Sequence, residues 1–172
     1  QMVKMNSFDT ICHEHLSYYG MKQIKYIMDF AGLKIIDFEF NDTNGGSVSI
    51  YVADIDSDYH ECTEKLDQIL IHETLLGFDQ LDPWLEFVKS IENCKKLFWT
   101  IIEEHVKDGK TICGIGASTK GNVILQTWKL GPEVIEMIAD VNPEKDGSLT
   151  PGTWIPIRNE ELVLKNNFDL HI

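Results

Sequence analysis

After the run "KDGK" (107–110) the chain changes character: short apolar runs, "TICGIG", "VIEMIAD" and "WIPI", are separated by glycine-rich turns. A helical stretch, "GNVILQTWKL", lies between the first two. An apolar run that enters a glycine turn, leaves it as a helix and returns as a second apolar run is the pattern of a βαβ crossover. Parallel strands need such a crossover, and strands covered on both faces read as continuous apolar runs. This feature dictates an α/β fold whose Rossmann-like parallel sheet, with flanking helices, occupies residues 109–172.

The residues before it form a different kind of structure. From Tyr18 to Gly32 apolar side chains recur at Tyr19, Ile24, Ile27, Met28 and Ala31, close to helical spacing, and Gly32 is a natural stop. "LKIIDFEF" alternates in part, and after "NDTNGG" the run "GGSVSIYVADI" reads as its hairpin partner. Residues 59–76 and 83–106 are helical in period, broken at "GFDQLDP", with Pro83 suited to a first helical turn. The expected order is a helix and β-hairpin segment (1–58), a helical segment (59–108) and the Rossmann-like part (109–172), the last two forming one domain.

Charge narrows the partners. Twenty-eight acidic against fifteen basic residues give a net charge of -13, which repels phosphate backbones and anionic headgroups, so neither nucleic acid nor membrane is an expected partner. No stretch approaches the ~20 apolar residues of a membrane span and no signal peptide opens the chain, so a cytoplasmic location is expected. Cys12, Cys62, Cys94 and Cys113 form no CxxC pair, so they read as reduced thiols. The chain opens on Gln1 and ends on "NNFDLHI", the start of an apolar strand, and we read it as cut from a longer protein.

Two motifs carry chemistry. In "TICGIGASTKGN" a strand runs through Gly114, Gly116, Ala117, Lys120 and Gly121 into a helix. Glycines permit close approach of a ligand there, the first helical N–H groups receive an anion, and Lys120 adds charge. Asp140, closing the next strand, stands where an acid often meets a ribose hydroxyl. The glycine spacing matches neither GxGxxG nor a Walker loop, so a tight packing turn, with Asp140 capping local N–H groups, is the competing reading.

The second motif is "DTICHEH", with His13, Glu14 and His15. In an extended segment the two histidines share one face and Glu14 lies on the other. Zinc needs further ligands, and His60 and His72 lie in a helical region without ligand spacing, so no metal is expected in this chain. Proton transfer suits the pair better, because imidazole titrates near neutrality and a carboxylate orients it. Polar surface residues bonded to the backbone are the alternative.

"FDTICHEHLSYYG", "NGGSVSIYV", "GKTICGIGASTKGN" and "ADVNPEKDGSLTPGTWIPI", in this order, resemble the C-terminal portion of the S-adenosylmethionine-dependent NDP-sugar C-methyltransferases. That resemblance implies a parent enzyme that methylates C-3 of a nucleotide-linked 4-keto-deoxysugar. It implies that S-adenosylmethionine is held by a domain upstream of this chain, and zinc by a cysteine-paired segment further upstream. His15 falls on the family's proposed base, with Glu14 and His13 beside it. Asn122 and Lys145 join Gly114, Gly116, Ala117, Lys120, Gly121 and Asp140 as expected contacts to the nucleotide sugar. The chain departs from the family at Cys12, where tyrosine is usual, and at Ser49, where arginine is usual. The resemblance further implies that this portion alone is inactive. Two other classes compete: a nucleotide-binding lobe without chemistry, and an NAD-dependent dehydrogenase using "GIGASTKG".

Overall fold

The computed structural model describes residues 1–172. It contains two compact units: residues 1–8 with 15–91, and residues 9–14 with 92–172. The short segment Asp9–Glu14 thus belongs to the second unit although its flanks belong to the first.

In the first unit, helix α1 (Met21–Phe30) turns Met21, Ile24 and Met28 inward. Its exposed first turn is satisfied by the Glu73 carboxylate, which receives the Met21 and Lys22 N–H groups at 2.8 and 3.2 Å. The helix stops where expected, at Gly32 with φ +73°. Strands β1 (Leu33–Asn41) and β2 (Ser47–Asp54) pair antiparallel. The alternation in β1 is only partial because the register shifts between Ile35 and Asp37, making Ile36 the extra residue of a β-bulge. Ile35 faces Val52 and Phe38 faces Ile50, so the bulge puts Ile35 and Phe38, three apart in sequence, on one face.

Helix α2 (Thr63–Leu76) completes this core with Leu66, which packs with Met21, Ile35 and Phe38. It begins later than the expected residue 59, since the Cys62 N–H is drawn to the Ile35 carbonyl (3.0 Å). Leu66 is 1% exposed. Leu66→Ala is expected to lower the unfolding free energy by about 2–5 kcal/mol through lost burial and an unfilled cavity, read as a shift in the denaturant midpoint. Helix α3 (Asp82–Lys107) contributes residues through Ile91 to this unit and the remainder to the second.

The second unit is built on four parallel strands in the order β5–β4–β3–β6: β3 (Ile112–Ile115), β4 (Met137–Asp140), β5 (Ile157–Asn159) and β6 (Leu170–His171). Helix α4 (Thr119–Trp128) crosses from β3 to β4, and α5 (Glu160–Val163) precedes β6. The mixed α/β architecture with a parallel sheet and a separate hairpin is the one expected. Ile112, Ile138 and Ile157 point into one core with Ile102, Leu125, Leu130, Ile135 and Ile155. Cys113 and Ala139 point the other way, against Val163. This alternation across a sheet covered on both sides explains the continuous apolar runs.

Boundaries moved where backbone groups found other partners. "VIEMIAD" is strand only from Met137, because Val134 and Ile135 donate to the Gly131 carbonyl (3.0 Å each) in a turn. "WIPI" is strand only from Ile157, Pro156 holding a single antiparallel bridge to Leu149. The sheet order reverses at β3, whose neighbours β4 and β6 follow it by separate connections. Such a reversal is the place where open α/β sheets receive ligands, beyond the carboxyl ends of the strands.

Candidate functional site

The glycine turn leaves the carboxyl end of β3 at that reversal point. Its glycines do different things. A Cβ on Gly114 would meet Ile138 Cγ1 at 3.0 Å, so this residue serves strand packing. Gly116 has φ +88° and nothing within 4 Å of the position a Cβ would take, which leaves its backbone open to a ligand. The Gly116 N–H donates to the Ala139 carbonyl at 2.7 Å, tying the turn to β4. Ser118 caps α4, its hydroxyl accepting the Gly121 N–H at 3.0 Å. Asn122 donates its N–H to the Ser118 carbonyl (3.0 Å), while its buried amide oxygen receives no hydrogen bond.

Asp140 is 6% exposed and both its oxygens are engaged. Oδ2 accepts the Ala117 N–H (2.8 Å) and the Lys145 ammonium (2.9 Å), and Oδ1 accepts the Asn142 N–H (2.8 Å). Lys145 also donates to the Ala117 carbonyl at 2.9 Å. The Lys145 ammonium, aided by the two backbone donors, holds the Asp140 carboxyl below its ordinary range against the opposing effect of burial. Asp140 and Lys145 therefore hold the turn from below its backbone. Both Asp140 oxygens thus accept from the chain itself, the local capping that was the competing reading of this acid.

The histidine motif is not extended. Phe8–Thr10 form a short 3₁₀ turn, the Cys12 N–H returns to the Thr10 carbonyl (3.0 Å), and His13–Glu14 form a further turn. The extended segment on which a shared face for His13 and His15 depended is therefore not what the chain forms at His13–Glu14. His13 Nε2 stands 3.7 Å from Glu14 Oε1, with 82% and 58% of the two side chains exposed. His15 begins the next stretch of the first unit; its side chain is exposed and its carbonyl accepts the Tyr18 hydroxyl at 3.0 Å.

Within the second unit, the segment Asp9–Glu14 meets the glycine turn. The Thr119 hydroxyl donates to Glu14 Oε1 at 3.2 Å across a separation of 105 residues. Lys120 Nζ lies 3.9 Å from Asp9 Oδ2, with 29% and 25% of the two side chains exposed. Sequence reasoning singled out Glu14 and Lys120 but not Thr119 or Asp9. Thr119 was findable as the first helical residue after the turn. Asp9 carried no local signal, since only the folded chain brings it to Lys120. Of the two departures, Ser49 lies on β2 and accepts from Asn41 Nδ2 at 3.1 Å, and Cys12 is partly exposed.

No group of three or more His, Cys, Asp or Glu side chains is arranged to hold a metal ion, and no helix is long and apolar enough to cross a membrane. Residues 42–172 match the family model described as the C-methyltransferase C-terminal domain. The chain is also similar to the C-methyltransferase NovU of Streptomyces niveus, at 32% identity over 161 residues. The matched region covers 94% of this chain but 38% of that relative.

Proposed function

The chain belongs to the family of C-methyltransferase C-terminal domains, and from this premise we propose that it is the substrate-side part of a sugar C-methyltransferase acting on an NDP-4-keto-deoxysugar. The observation that carries the reading is the contact of Glu14, from the histidine motif, with Thr119 in the first turn of α4. It joins the proton-transfer motif to the turn best built to receive a diphosphate. In this reading, backbone N–H groups at the start of α4 and the Lys120 ammonium bind the diphosphate, and the open backbone at Gly116 admits it closely. Asp140 and Lys145 keep that turn rigid.

The 4-keto group acidifies the C-3 hydrogen, His15 accepts this proton, and Glu14 with His13 orients the imidazole and stabilises its charge. A positioned base of this kind contributes ~10²–10⁴ in rate. The enolate carbon is then the nucleophile for the methyl group of a sulfonium donor, whose methyl–sulfur bond would break with its electron pair remaining on sulfur.

S-adenosylmethionine, which the family resemblance implies as donor, does not fit the residues present. The acid at the end of β4 that would receive its ribose hydroxyls is Asp140, buried and already accepting from Ala117, Asn142 and Lys145. The donor site is assigned to the remainder of a longer parent, in keeping with the 38% of the relative that this chain spans. Calorimetric titration of the 172-residue chain with S-adenosylmethionine is expected to show no heat of binding; micromolar affinity would put the donor site here instead.

The function itself is tested by incubating a parent enzyme with its nucleotide 4-keto sugar in heavy water without methyl donor. Loss of the C-3 hydrogen signal is expected. A C-3 hydrogen that does not exchange in this donor-free incubation, in an enzyme that methylates normally once donor is added, would contradict deprotonation by this motif.

A further inference from the structure

Two side-chain donors of the glycine turn, the Lys120 ammonium and the Thr119 hydroxyl, face the chain's own carboxylates. Asp9 faces the Lys120 ammonium and Glu14 accepts the Thr119 hydroxyl. Both acids come from the one stretch of the N-terminal region, Asp9–Glu14, that belongs to the second unit while its neighbours on either side do not. We propose that this segment is an internal substitute for the diphosphate. Its carboxylates neutralise the turn when no ligand is bound, and phosphate oxygens displace them, freeing Glu14 for the histidines. The proposal rests on the turn being the diphosphate site and adds the regulation of that site.

Three observations separate this from an ordinary helix cap. Glu73 caps α1 through two backbone N–H groups, at 2.8 and 3.2 Å, which is a fixed structural arrangement. Glu14 instead holds only a side-chain hydroxyl at 3.2 Å and is 58% exposed, while Asp9 stands at 3.9 Å, the limit of an ion pair. Such partly exposed contacts are weak and easily exchanged. The backbone role of a cap in α4 is already filled by Ser118, which accepts the Gly121 N–H, so α4 does not depend on Glu14. The chain also has few alternative cations at the turn, since Lys145 is committed to Asp140. In a protein with a net charge of -13, an anionic ligand competes with local acids wherever it docks.

The displacement has a further consequence for the motif. Glu14 Oε1 lies 3.7 Å from His13 Nε2, and the same atom takes the Thr119 hydroxyl. One oxygen thus serves two partners. When phosphate takes the hydroxyl, the carboxylate is released to a single role, and the orienting acid becomes available only with substrate in place.

The test uses the 172-residue chain with thymidine 5′-diphosphate as probe, measured by titration at low and high salt. Asp9→Asn is expected to tighten binding roughly two- to fivefold at low salt, the range of a lost surface ion pair. The gain should shrink at 1 M salt, where charges in contact with solvent are screened within ~3 Å. Lys120→Ala is expected to weaken binding, and Asp9→Asn on that background to have no effect, because the competition requires the ammonium. If Lys120→Ala weakens binding while Asp9→Asn leaves it unchanged or weakens it, the substitute role is overturned and the diphosphate site stands. If binding is absent or indifferent to Lys120→Ala, both fall. If Asp9→Asn tightens binding equally with and without Lys120, the effect is general charge relief and the exchange is overturned.

Discussion

Substituting His15→Asn in a full-length parent enzyme is expected to lower methyl transfer by at least ~100-fold, the lower end of what a positioned base supplies. Asparagine keeps a hydrogen-bonding group of similar reach but cannot accept a proton near neutral pH. Affinity for the nucleotide sugar should therefore be preserved, because diphosphate binding is assigned to the turn and not to this imidazole. Exchange of the C-3 hydrogen with heavy water, followed without methyl donor, should disappear in the variant and persist in the unaltered enzyme. His13→Asn should slow exchange less, its imidazole being assigned a supporting place beside Glu14. An unchanged exchange rate in His15→Asn would place the base elsewhere, and loss of tightly bound zinc together with activity in both variants would return the motif to a metal role.

The second large effect concerns Asp140. Asp140→Ala is expected to destabilise the second unit by roughly 3 kcal/mol, because it strands the buried Ala117 N–H, removes the acceptor of Asn142 and leaves Lys145 without its carboxylate. The same carboxyl makes stability pH-dependent. Its folded pKa is depressed by Lys145 and the two backbone donors, so its contribution is fully present above the ordinary carboxylate value near ~3.9. As pH falls from there through the depressed folded value, the contribution is lost. Asp140→Asn should remove this part of the acid dependence, which is measured by comparing urea midpoints at pH 7 and below pH 4. An equal fall in both proteins would show that the carboxylate is not what clamps the turn.

Much of the fold was legible because local chemistry repeats along the chain. The helical period around Ile24 and Met28, the stop at Gly32, the hairpin runs and the glycine turn after "TICGIG" each follow from periodicity and backbone freedom. The irregular alternation of "LKIIDFEF" was visible, but its cause was not: a bulge at Ile36 depends on the partner strand's register. Strand starts at Met137 and Ile157 were misplaced because neighbouring backbone groups pair in turns that apolar content does not report.

The site shows the same division. Residue type and order alone determined that an α/β chain carries a glycine turn with Lys120, an acid at the end of the next strand, and a His–Glu–His motif. Tertiary structure decided what these groups do to one another. It replaced an extended "CHEH" with a turn at His13–Glu14, buried Asp140 with both oxygens accepting from the chain, and brought Asp9 and Glu14 to Lys120 and Thr119. The physical reason is that periodicity reports how a residue's own segment is covered. Which partner satisfies a buried or charged group depends on segments that meet only after the chain has folded, across separations such as the 105 residues between Glu14 and Thr119.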